Sequence, residues 1–388
     1  MFIDTMNCVS VKMTIMRYFP ASVFTLIVLA GNGHVLAQTV IENPDALGPS
    51  CLTPDGKAGV CVPNYQCNFE TNSVDPGATI DLRTQSCPHY LQICCLREER
   101  AGSKTVEEMP QCGFSNPGAV ELKTKPTLVG EAEYGEFPWM VALLRSTAPD
   151  QAWSQDDYVG GGSIIHPKVV LTSAHKVARY TEAEIKCRAG EWDTTNTDEN
   201  YLTQERQVEK IIQHDDFFDL QVYYNIALLV LKEPFIFNDA PHMGIACVGK
   251  VLPPPGTQCF TMGWGKDTTG KYATILKKIQ LPLIDSDQCQ HSLRNTRLGS
   301  RYLLHPSHIC AGGVVGVDTC KGDGGSPLVC NVGNATVARY AVIGLVSSGV
   351  GCGKKNVPGL YTNVPFLYSW LLDAMNKEKL QSKTFTYE

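Results

Sequence analysis

Residues 318–330 read DTCKGDGGSPLVC, and the interpretation of the whole chain turns on this stretch. Two cysteines enclose a glycine-rich segment that runs into the apolar residues of SPLVC. Asp323 is followed by Gly324, which has no side chain, and the nearest hydroxyl after it belongs to Ser326. Whether any chemistry occurs here depends on the class of protein, which length and composition bound first.

The composition is that of a globular protein with room for more than one folded module. The chain has 388 residues, of which 43% are hydrophobic, and this length suits one full domain plus a smaller one. The formal net charge is -6, and the lysines and arginines are spread along the chain. Without a basic patch, nucleic acid and anionic membranes are excluded as expected partners.

The first 37 residues have the features of a secretory signal peptide. The apolar stretch 21–37, ASVFTLIVLAGNGHVLA, ends in small residues and follows the basic Lys12 and Arg17. A membrane anchor is the alternative, but the apolar run is short for a bilayer. The sequence therefore predicts a secreted protein whose mature chain begins near Gln38.

The sixteen cysteines indicate disulfides rather than metal ligands, because an oxidising compartment drives thiols into pairs. Loss of Cys8 with the leader leaves an odd number, so one thiol is expected to stay unpaired. Six cysteines crowd into residues 50–96, a module too small to fold without covalent links. Their spacing alone allows 15 connectivities, and these six are Cys51, Cys61, Cys67, Cys87, Cys94 and Cys95.

The rest of the chain divides into segments that differ in amino-acid composition and hydrophobic pattern. Residues 97–126 are charged, contain glycine and proline, and read as a linker. Residues 127–377 contain short β-rich runs separated by turn residues. The stretch VPFLYSWLLDAMNKEKL, which begins near the end of this range, has apolar spacing that predicts a helix. Residues 378–388 are left as a C-terminal tail. The predicted fold is all-β with one terminal helix.

Two resemblances refine this prediction. The cysteine pattern of residues 50–96, with its closing Cys-Cys, resembles the arthropod clip domain; another six-cysteine secreted knot is the alternative. Residues 127–377 resemble the chymotrypsin-like serine proteases through GEFPWMVALL, GGGSIIHPKVVLTSAH, YYNIALLVLKEPF, CFTMGWGK, ICAGG, DTCKGDGGSPLVC and PGLYTNV. The second resemblance implies two six-stranded β-barrels with a cleft between them.

The resemblance also identifies three positions where that family has its catalytic triad. Peptide cleavage there needs a hydroxyl nucleophile, an imidazole to take its proton, and a buried carboxylate to orient the imidazole. The imidazole is present as His175, but the carboxylate position is Asn225 and the nucleophile position is Gly324. A displaced nucleophile at Ser326 is the alternative, although two residues further along the backbone it should not reach His175. The sequence predicts a protein that is not an enzyme.

The same two resemblances imply how the cysteines pair. The implied bridges are Cys51–Cys94, Cys61–Cys87, Cys67–Cys95, Cys112–Cys247, Cys259–Cys330, Cys289–Cys310 and Cys320–Cys352, which leaves Cys187 as a buried or capped thiol, or as one half of an intermolecular bridge. A further bridge that the protease family usually has near the imidazole is missing at both ends, where this chain has Gly160 and Lys176.

The activation segment and the pocket residues of this chain depart from the protease family pattern in different ways. In the family, a cut creates an Ile or Val α-amine that pairs with the aspartate matching Asp323, but the corresponding segment, LKTKPTLVGEAEYG, lacks that pattern. No α-amine is therefore expected at Asp323. A trypsin-like pocket has its expected base at Asp318 and small wall residues at Gly349 and Gly359, although Ser348 replaces the aromatic wall. Inherited geometry without a ligand is the alternative.

Two surface features remain. Asn334 in NAT is a glycosylation acceptor. The acidic stretch 191–200, EWDTTNTDEN, matches a loop that binds Ca²⁺ in some family members, and a solvated acidic loop is the alternative. No metal-ligand cluster is apparent among the histidines, so neither a metal nor another cofactor is expected apart from this Ca²⁺ option.

The pairing of the two modules resembles the clip-domain serine protease homologues of arthropods. That resemblance implies a haemolymph protein that acts as a cofactor when an active clip protease converts prophenoloxidase to phenoloxidase in melanisation. It also implies activation by a cut, for which Arg83, Arg97, Arg100 and Lys104 are candidates, and self-association afterwards is a further expectation. A decoy that slows the cascade and a protein that recognises microbes are the alternatives.

Overall fold

The computed structural model describes residues 50–52, 58–63, 87, 92–96, 110–116, 130–148, 153–195, 201–267, 269–333 and 338–387. The chain divides into two compact units, Met1–Val106 and Glu107–Glu388. The predicted signal peptide lies outside the described residues, as do Arg83, Arg97, Arg100, Lys104, Cys67 and Asn334. No helix within the described residues is both long and apolar enough to span a membrane.

The N-terminal unit contains a three-stranded antiparallel sheet of β1 (Ser50–Leu52), β2 (Ala58–Pro63) and β3 (Gln92–Leu96) in that order. Two disulfides hold it, Cys51–Cys94 and Cys61–Cys87. Cys61 lies directly opposite Cys94 in the register of β2 and β3, so both bridges start from the same cross-strand pair. The prediction of a small disulfide-rich module is confirmed, whereas Cys67–Cys95 involves a residue that the structure does not describe.

The first β-barrel is closed and contains six strands in the order β4-β5-β6-β9-β8-β7. Closure removes the free sheet edges, and the short strands β6, β7 and β9 are buried along their whole length. Helix α1 (Ala174–Val177) and a 3₁₀ turn (Glu182–Glu184) follow β6. The strands are β4 (Met140–Arg145), β5 (Tyr158–His166), β6 (Val169–Thr172), β7 (Ile185–Ala189), β8 (Gln204–Gln213) and β9 (Ala227–Leu231).

The second β-barrel follows in the chain and is also a ring of six strands. Its order is β15-β14-β11-β12-β13-β16, and the pairing of β15 with β16 closes it, while β10 adds to β15 in parallel. Helix α2 (Ser286–Arg294) begins at Asp285, whose carboxylate accepts hydrogen bonds from the first turn. The strands are β10 (Cys247–Val248), β11 (Gln258–Gly263), β12 (Lys277–Ile284), β13 (His308–Gly312), β14 (Pro327–Asn331), β15 (Tyr340–Ser348) and β16 (Pro358–Asn363).

A shared hydrophobic core joins the two barrels. One cluster of buried side chains includes Trp139 and Ile165 from the first barrel region and Met262 and Val329 from the second. The glycines of β5 allow close approach, because a Cβ built on Gly161 would lie 2.1 Å from Ser326 Oγ. The predicted double β-barrel is confirmed.

The C-terminal helix is also confirmed, as α3 (Tyr368–Lys377) after a 3₁₀ turn (Pro365–Leu367). The residues beyond it, assigned from the sequence to a tail, pack against the barrels. Phe385 is fully buried, its carbonyl accepts a hydrogen bond from Val248 N at 3.0 Å, and Thr384 Oγ1 donates to Ile165 O at 2.8 Å. A third 3₁₀ turn (Ser382–Thr384) lies within this returning segment.

Four disulfides tie the second unit together, and each is a pair that the resemblance implied. Cys112–Cys247 joins the segment before the barrels to β10, and Cys259–Cys330 links β11 to β14. The others are Cys289–Cys310 and Cys320–Cys352. Cys187 is a free, fully buried thiol in β7.

Candidate functional site

His175 and Asn225 meet at the end of the first barrel. His175 lies on α1, which follows β6, and Asn225 lies two residues before the start of β9. Asn225 is fully buried, and its Oδ1 accepts a hydrogen bond from His175 N at 2.9 Å. This bond fixes the orientation of the amide, because only the oxygen can accept from a backbone N–H. Asn225 Nδ2 then lies 2.9 Å from His175 Nδ1 and 2.8 Å from Ser347 Oγ.

The orientation of the amide determines the tautomer of the imidazole. His175 Nδ1 lies 2.9 Å from Asn225 Nδ2 and 3.2 Å from Asn225 Oδ1, and the nearer group, an NH₂, can only donate, which favours the tautomer in which Nδ1 accepts and the ring proton is on Nε2. Burial, helped by the neighbouring charge of Lys176, lowers the pKa of His175 to about 4, so the ring is neutral near pH 7. In this tautomer Nε2 is a donor, whereas a general base at this place would need Nε2 as an acceptor.

Strained backbone holds Asn225 in place. Val222 and Tyr224 have φ angles of 52° and 50°, a left-handed conformation that is costly for a β-branched residue such as valine. The second barrel stabilises it: His308 Nε2 donates to Val222 O at 3.1 Å, and Tyr224 N donates to Ser307 Oγ at 3.0 Å. The position of Asn225 is thus set by both barrels.

Gly324 faces His175 from the second barrel. A Cβ built on Gly324 would lie 2.8 Å from His175 Nε2, so this is the place from which a side chain would reach the imidazole. Its carbonyl accepts a hydrogen bond from Gly161 N at 3.0 Å, which anchors the turn to the first barrel. The structure thus brings His175, Asn225 and Gly324 together, with no nucleophilic side chain among them.

Ser326 is directed elsewhere. It is fully buried, and its hydroxyl points at the backbone of Gly161 and Gly263, where built Cβ atoms would lie 2.1 and 2.9 Å from it. Within the described residues it makes no hydrogen bond to His175. The glycines on both sides leave room for this hydroxyl only because they carry no side chain.

Lys176 fills the space between the two barrels beside His175. A Cβ built on Gly160 would lie 2.5 Å from Lys176 Cε, so these two positions face each other. The Cδ of Lys176 lies 2.8 Å from the place of a Cβ on Gly324. The aliphatic part of the lysine side chain therefore fills the space that a disulfide from position 160 would take. It also fills part of the space that a side chain at position 324 would take. Burial lowers the pKa of Lys176.

Asp323 has an internal cationic partner. Lys277 Nζ lies 2.8 Å from Asp323 Oδ2, and both groups are buried. Gly265 N donates to Asp323 Oδ1 at 2.9 Å, Cys320 N donates to Oδ2 at 3.0 Å, and Lys277 also donates to Lys266 O. The sequence did not reveal this partner. Leu128 and Val129, which match the activation segment, are outside the described residues.

The pocket residues predicted from the sequence lie together on β16 and the segments beside it. Asp318 is 8% exposed; its Oδ2 accepts from Gly353 N at 3.0 Å, and its Oδ1 has no hydrogen-bond partner within the described residues. Gly359 leaves this oxygen uncovered, because a Cβ there would lie 3.4 Å from it. Burial raises the pKa of Asp318 to about 6. Gly349 and Ser348 are exposed, and neither of them carries a large side chain.

The start of the acidic stretch 191–200 is engaged with protein groups. Arg188 forms ion pairs with Glu191 at 3.2 Å and with Glu205, and Trp153 Nε1 donates to Glu191 at 3.0 Å. Asp193 accepts from Thr195. Among the described residues, the close group of ligand-type side chains is Cys51, Cys61 and Cys87, which are bound in disulfides. Residues 196–200 are not described.

Comparison with known proteins agrees with this geometry. A family model described as Trypsin matches residues 129–371, and one described as Serine protease Clip domain PPAF-2 matches residues 48–96. The chain is a clip-domain member of the trypsin family. The resemblance to clip-domain protease homologues that the sequence motifs indicated is confirmed.

Several clip-domain relatives are similar over most of their length. Phenoloxidase-activating factor 2 of Galleria mellonella is 44% identical over 294 residues, which cover 72% of this chain and 94% of that protein. Inactive CLIP domain-containing serine protease A28 of Anopheles gambiae is 36% identical, covering 81% and 88%. Inactive CLIP domain-containing serine protease A3 of Aedes aegypti is 34% identical, covering 89% and 72%. Two of these three clip-domain proteins are thus named as inactive.

Proposed function

We propose that this protein is a secreted, catalytically inactive clip-domain protease homologue that acts as a cofactor in prophenoloxidase activation during melanisation. The observation that carries the proposal is the meeting of His175, Asn225 and Gly324, which reproduces a triad's geometry without its chemistry. Relatives named as phenoloxidase-activating factors and as inactive clip-domain proteases support the same conclusion.

Two independent losses argue against proteolysis. Changing the triad carboxylate to an amide lowers kcat by about 10⁴, because the imidazole takes the wrong tautomer. Removing the nucleophile lowers kcat by about 10⁶, and the two losses are not additive. What the remaining backbone donors and binding contacts can provide is on the order of 10³ to 10⁴ over water. Peptide bonds would not be cleaved at a useful rate.

An inert domain can still act by binding. The proposed partners are prophenoloxidase and an active clip protease, and the proposed place is the haemolymph. The disulfides of both units fit an extracellular protein. Activation would follow a cut at one of the basic residues Arg83, Arg97, Arg100 or Lys104, and the cut form would then associate with copies of itself.

The deciding experiment measures phenoloxidase activity from purified prophenoloxidase and its activating protease, with and without this protein in its cut form. We expect a large increase. The matched control is His175→Ala, which removes the last triad side chain and should leave the increase intact. Loss of the increase in this variant would contradict an inactive cofactor, a fall in activity would favour a decoy, and no change would move the search for a ligand to microbial surfaces.

A further inference from the structure

Three segments that lie between strands of the second barrel carry five lysines. The segments, which we call the lysine surface, are residues 266–272, 313–323 and 351–357. In the sequence these lysines are widely separated, so the sequence alone gives no sign that they form a cluster. The lysines are Lys266, Lys271, Lys321, Lys354 and Lys355.

Contacts between the three segments hold them side by side. Lys266 N donates a hydrogen bond to Lys321 O at 2.8 Å, which joins the first segment to the second. The Cys320–Cys352 disulfide joins the second segment to the third. The five lysines therefore lie on neighbouring turns of the molecule.

The positive charge of the lysine surface is not neutralised within the described residues. Four of the five lysines are exposed, and none of the five forms an ion pair with a described residue. The three segments contain three carboxylates, of which Asp318 and Asp323 are buried. The third, Asp267, accepts hydrogen bonds from within its own turn. In a protein whose formal net charge is -6, this surface thus has a local excess of positive charge.

Apolar side chains are exposed among these charges. Val314 and Val317 form a β-bridge that closes a tight turn, and they are 44% and 36% exposed, while Val315 between them is 64% exposed. This turn is fixed to the third segment, because Gly316 N donates to Gly353 O at 3.0 Å. Apolar side chains that stay in water on a fixed turn gain free energy when a partner covers them, so they favour docking.

The combination of charge and apolar area selects the kind of partner. Ammonium groups attract carboxylates and orient an approaching partner. A nucleic acid would be bound mainly through its phosphate charges, which would leave the valines in water. Binding at a membrane interface uses Trp, Phe and Leu on the apolar side, whereas valines take those places here. Aliphatic side chains between ammonium groups therefore fit a protein segment that carries both carboxylates and aliphatic residues.

We propose that the lysine surface docks an acidic segment of a protein partner that also carries aliphatic side chains. Its carboxylates pair with the lysines, and its aliphatic side chains cover Val314, Val315 and Val317. None of these residues is a triad position. The inference therefore goes beyond the proposed cofactor role and does not depend on it.

The test uses the intact protein and three fluorescein-labelled peptides, with fluorescence anisotropy as the readout. The first peptide is Glu-Glu-Leu-Val-Asp-Glu-Leu, the second has every carboxylate replaced by its amide, and the third has serine at the three aliphatic positions. We expect the first to bind and the other two to bind at least about tenfold more weakly, because one loses the charge pairing and the other the apolar burial. Equal binding of the first two peptides, or no binding of the first up to about 1 mM, would overturn the proposal. Tighter binding to phosphatidylserine vesicles or to an oligonucleotide than to the first peptide would also overturn it, in favour of a membrane or a nucleic acid.

Substitutions on the lysine surface locate the binding. Lys354→Gln with Lys355→Gln should weaken the first peptide at least about fivefold, because two exposed charge pairs are lost. Val315→Ser should weaken the first peptide and leave the serine peptide unchanged. The matched control is Lys232→Gln with Lys377→Gln, which removes the same charge from exposed lysines outside the three segments. An equal loss in this control would reduce the effect to net charge and contradict a docking surface. The assay contains no prophenoloxidase, so its outcome is separate from that of the cofactor experiment.

Discussion

Lys277 holds Asp323 through an ion pair of 2.8 Å that lies inside the second barrel, next to the turn that carries Gly324. The two residues are far apart in sequence, on β12 and in the turn before β14. Proteases of this fold obtain the corresponding cation from a newly cut α-amine. In this chain a lysine side chain supplies it, so the aspartate is neutralised without any cut.

Removing this cation should destabilise the fold. Lys277→Met would leave Asp323 as an uncompensated buried charge, which costs about 3–5 kcal/mol of the free energy of unfolding. The double variant with Asp323→Asn should regain part of the loss. Urea denaturation measures both, and Lys271→Met, a substitution of an exposed lysine, is the matched control. A loss below about 1 kcal/mol would show that the pair is not needed.

Restoring the missing triad residues should not restore the chemistry while Lys176 is present. Serine at 324 would place its Cβ 2.8 Å from Lys176 Cδ, so the side chain must shift. A misplacement of about 1 Å costs on the order of 10²-fold in rate. We expect Asn225→Asp with Gly324→Ser to react slowly with a fluorophosphonate probe, and the addition of Lys176→Ala to speed labelling by about that factor. Equal labelling of the double and triple variants would contradict an obstructing lysine.

Acid should destabilise the protein between about pH 6.5 and 4. Burial lowers the pKa of His166, His175, His242 and His308 to about 4 each. The unfolded chain binds protons at these groups first, so the free energy of unfolding falls as the pH decreases through this window. Asp318, with its pKa raised to about 6, and Glu191, whose pKa burial also raises, act in the opposite direction but are two groups against four histidines.

The pH effect can be assigned by substitution. Urea unfolding at about pH 7 and about pH 5 should show the lower stability at the lower pH. His308→Gln should reduce the difference, whereas His291→Gln, which changes an exposed histidine on α2, should not. Higher stability at the lower pH would mean that other groups dominate.

Cys187 should be chemically silent in the folded protein. It is fully buried in β7, and burial raises the pKa of its thiol well above the usual range, so the reactive thiolate is scarce. Iodoacetamide should therefore label it in denaturant and leave it unmodified under native conditions. Rapid native labelling, or a dimer that a reducing agent separates, would point instead to an accessible thiol.

The sequence predicted the fold and the meeting of the triad positions because both depend on local motifs. The segments around His175, Asn225 and Gly324 each keep the residues that flank such sites, and the register of the barrels then brings them together. The disulfide pairs were likewise implied by a family pattern. Such features need no knowledge of how distant side chains pack.

The sequence did not reveal the ion pair of Lys277 with Asp323, because this pair depends on how the second barrel packs. In β12 it stands in ILKKIQLPLI, where two adjacent lysines suggest an exposed position, yet the barrel turns the first inward. Phe385 was missed for a related reason. A short polar segment with a single buried aromatic residue has no periodicity, so its return to the barrels left no sequence signal.

The disulfide pattern makes the outcome of a cut depend on its position. Within the described residues, each bridge stays inside its own unit, and Cys112 is the first cysteine tied to the barrels. A cut after Arg97, Arg100 or Lys104 would therefore leave no disulfide of the described residues between the two pieces. A cut after Arg83 falls inside the loops closed by Cys51–Cys94 and Cys61–Cys87, and would leave every piece attached. Proteolysis at one group of sites would break the covalent link between the clip module and the barrels, whereas at Arg83 it would only open a loop within the clip module.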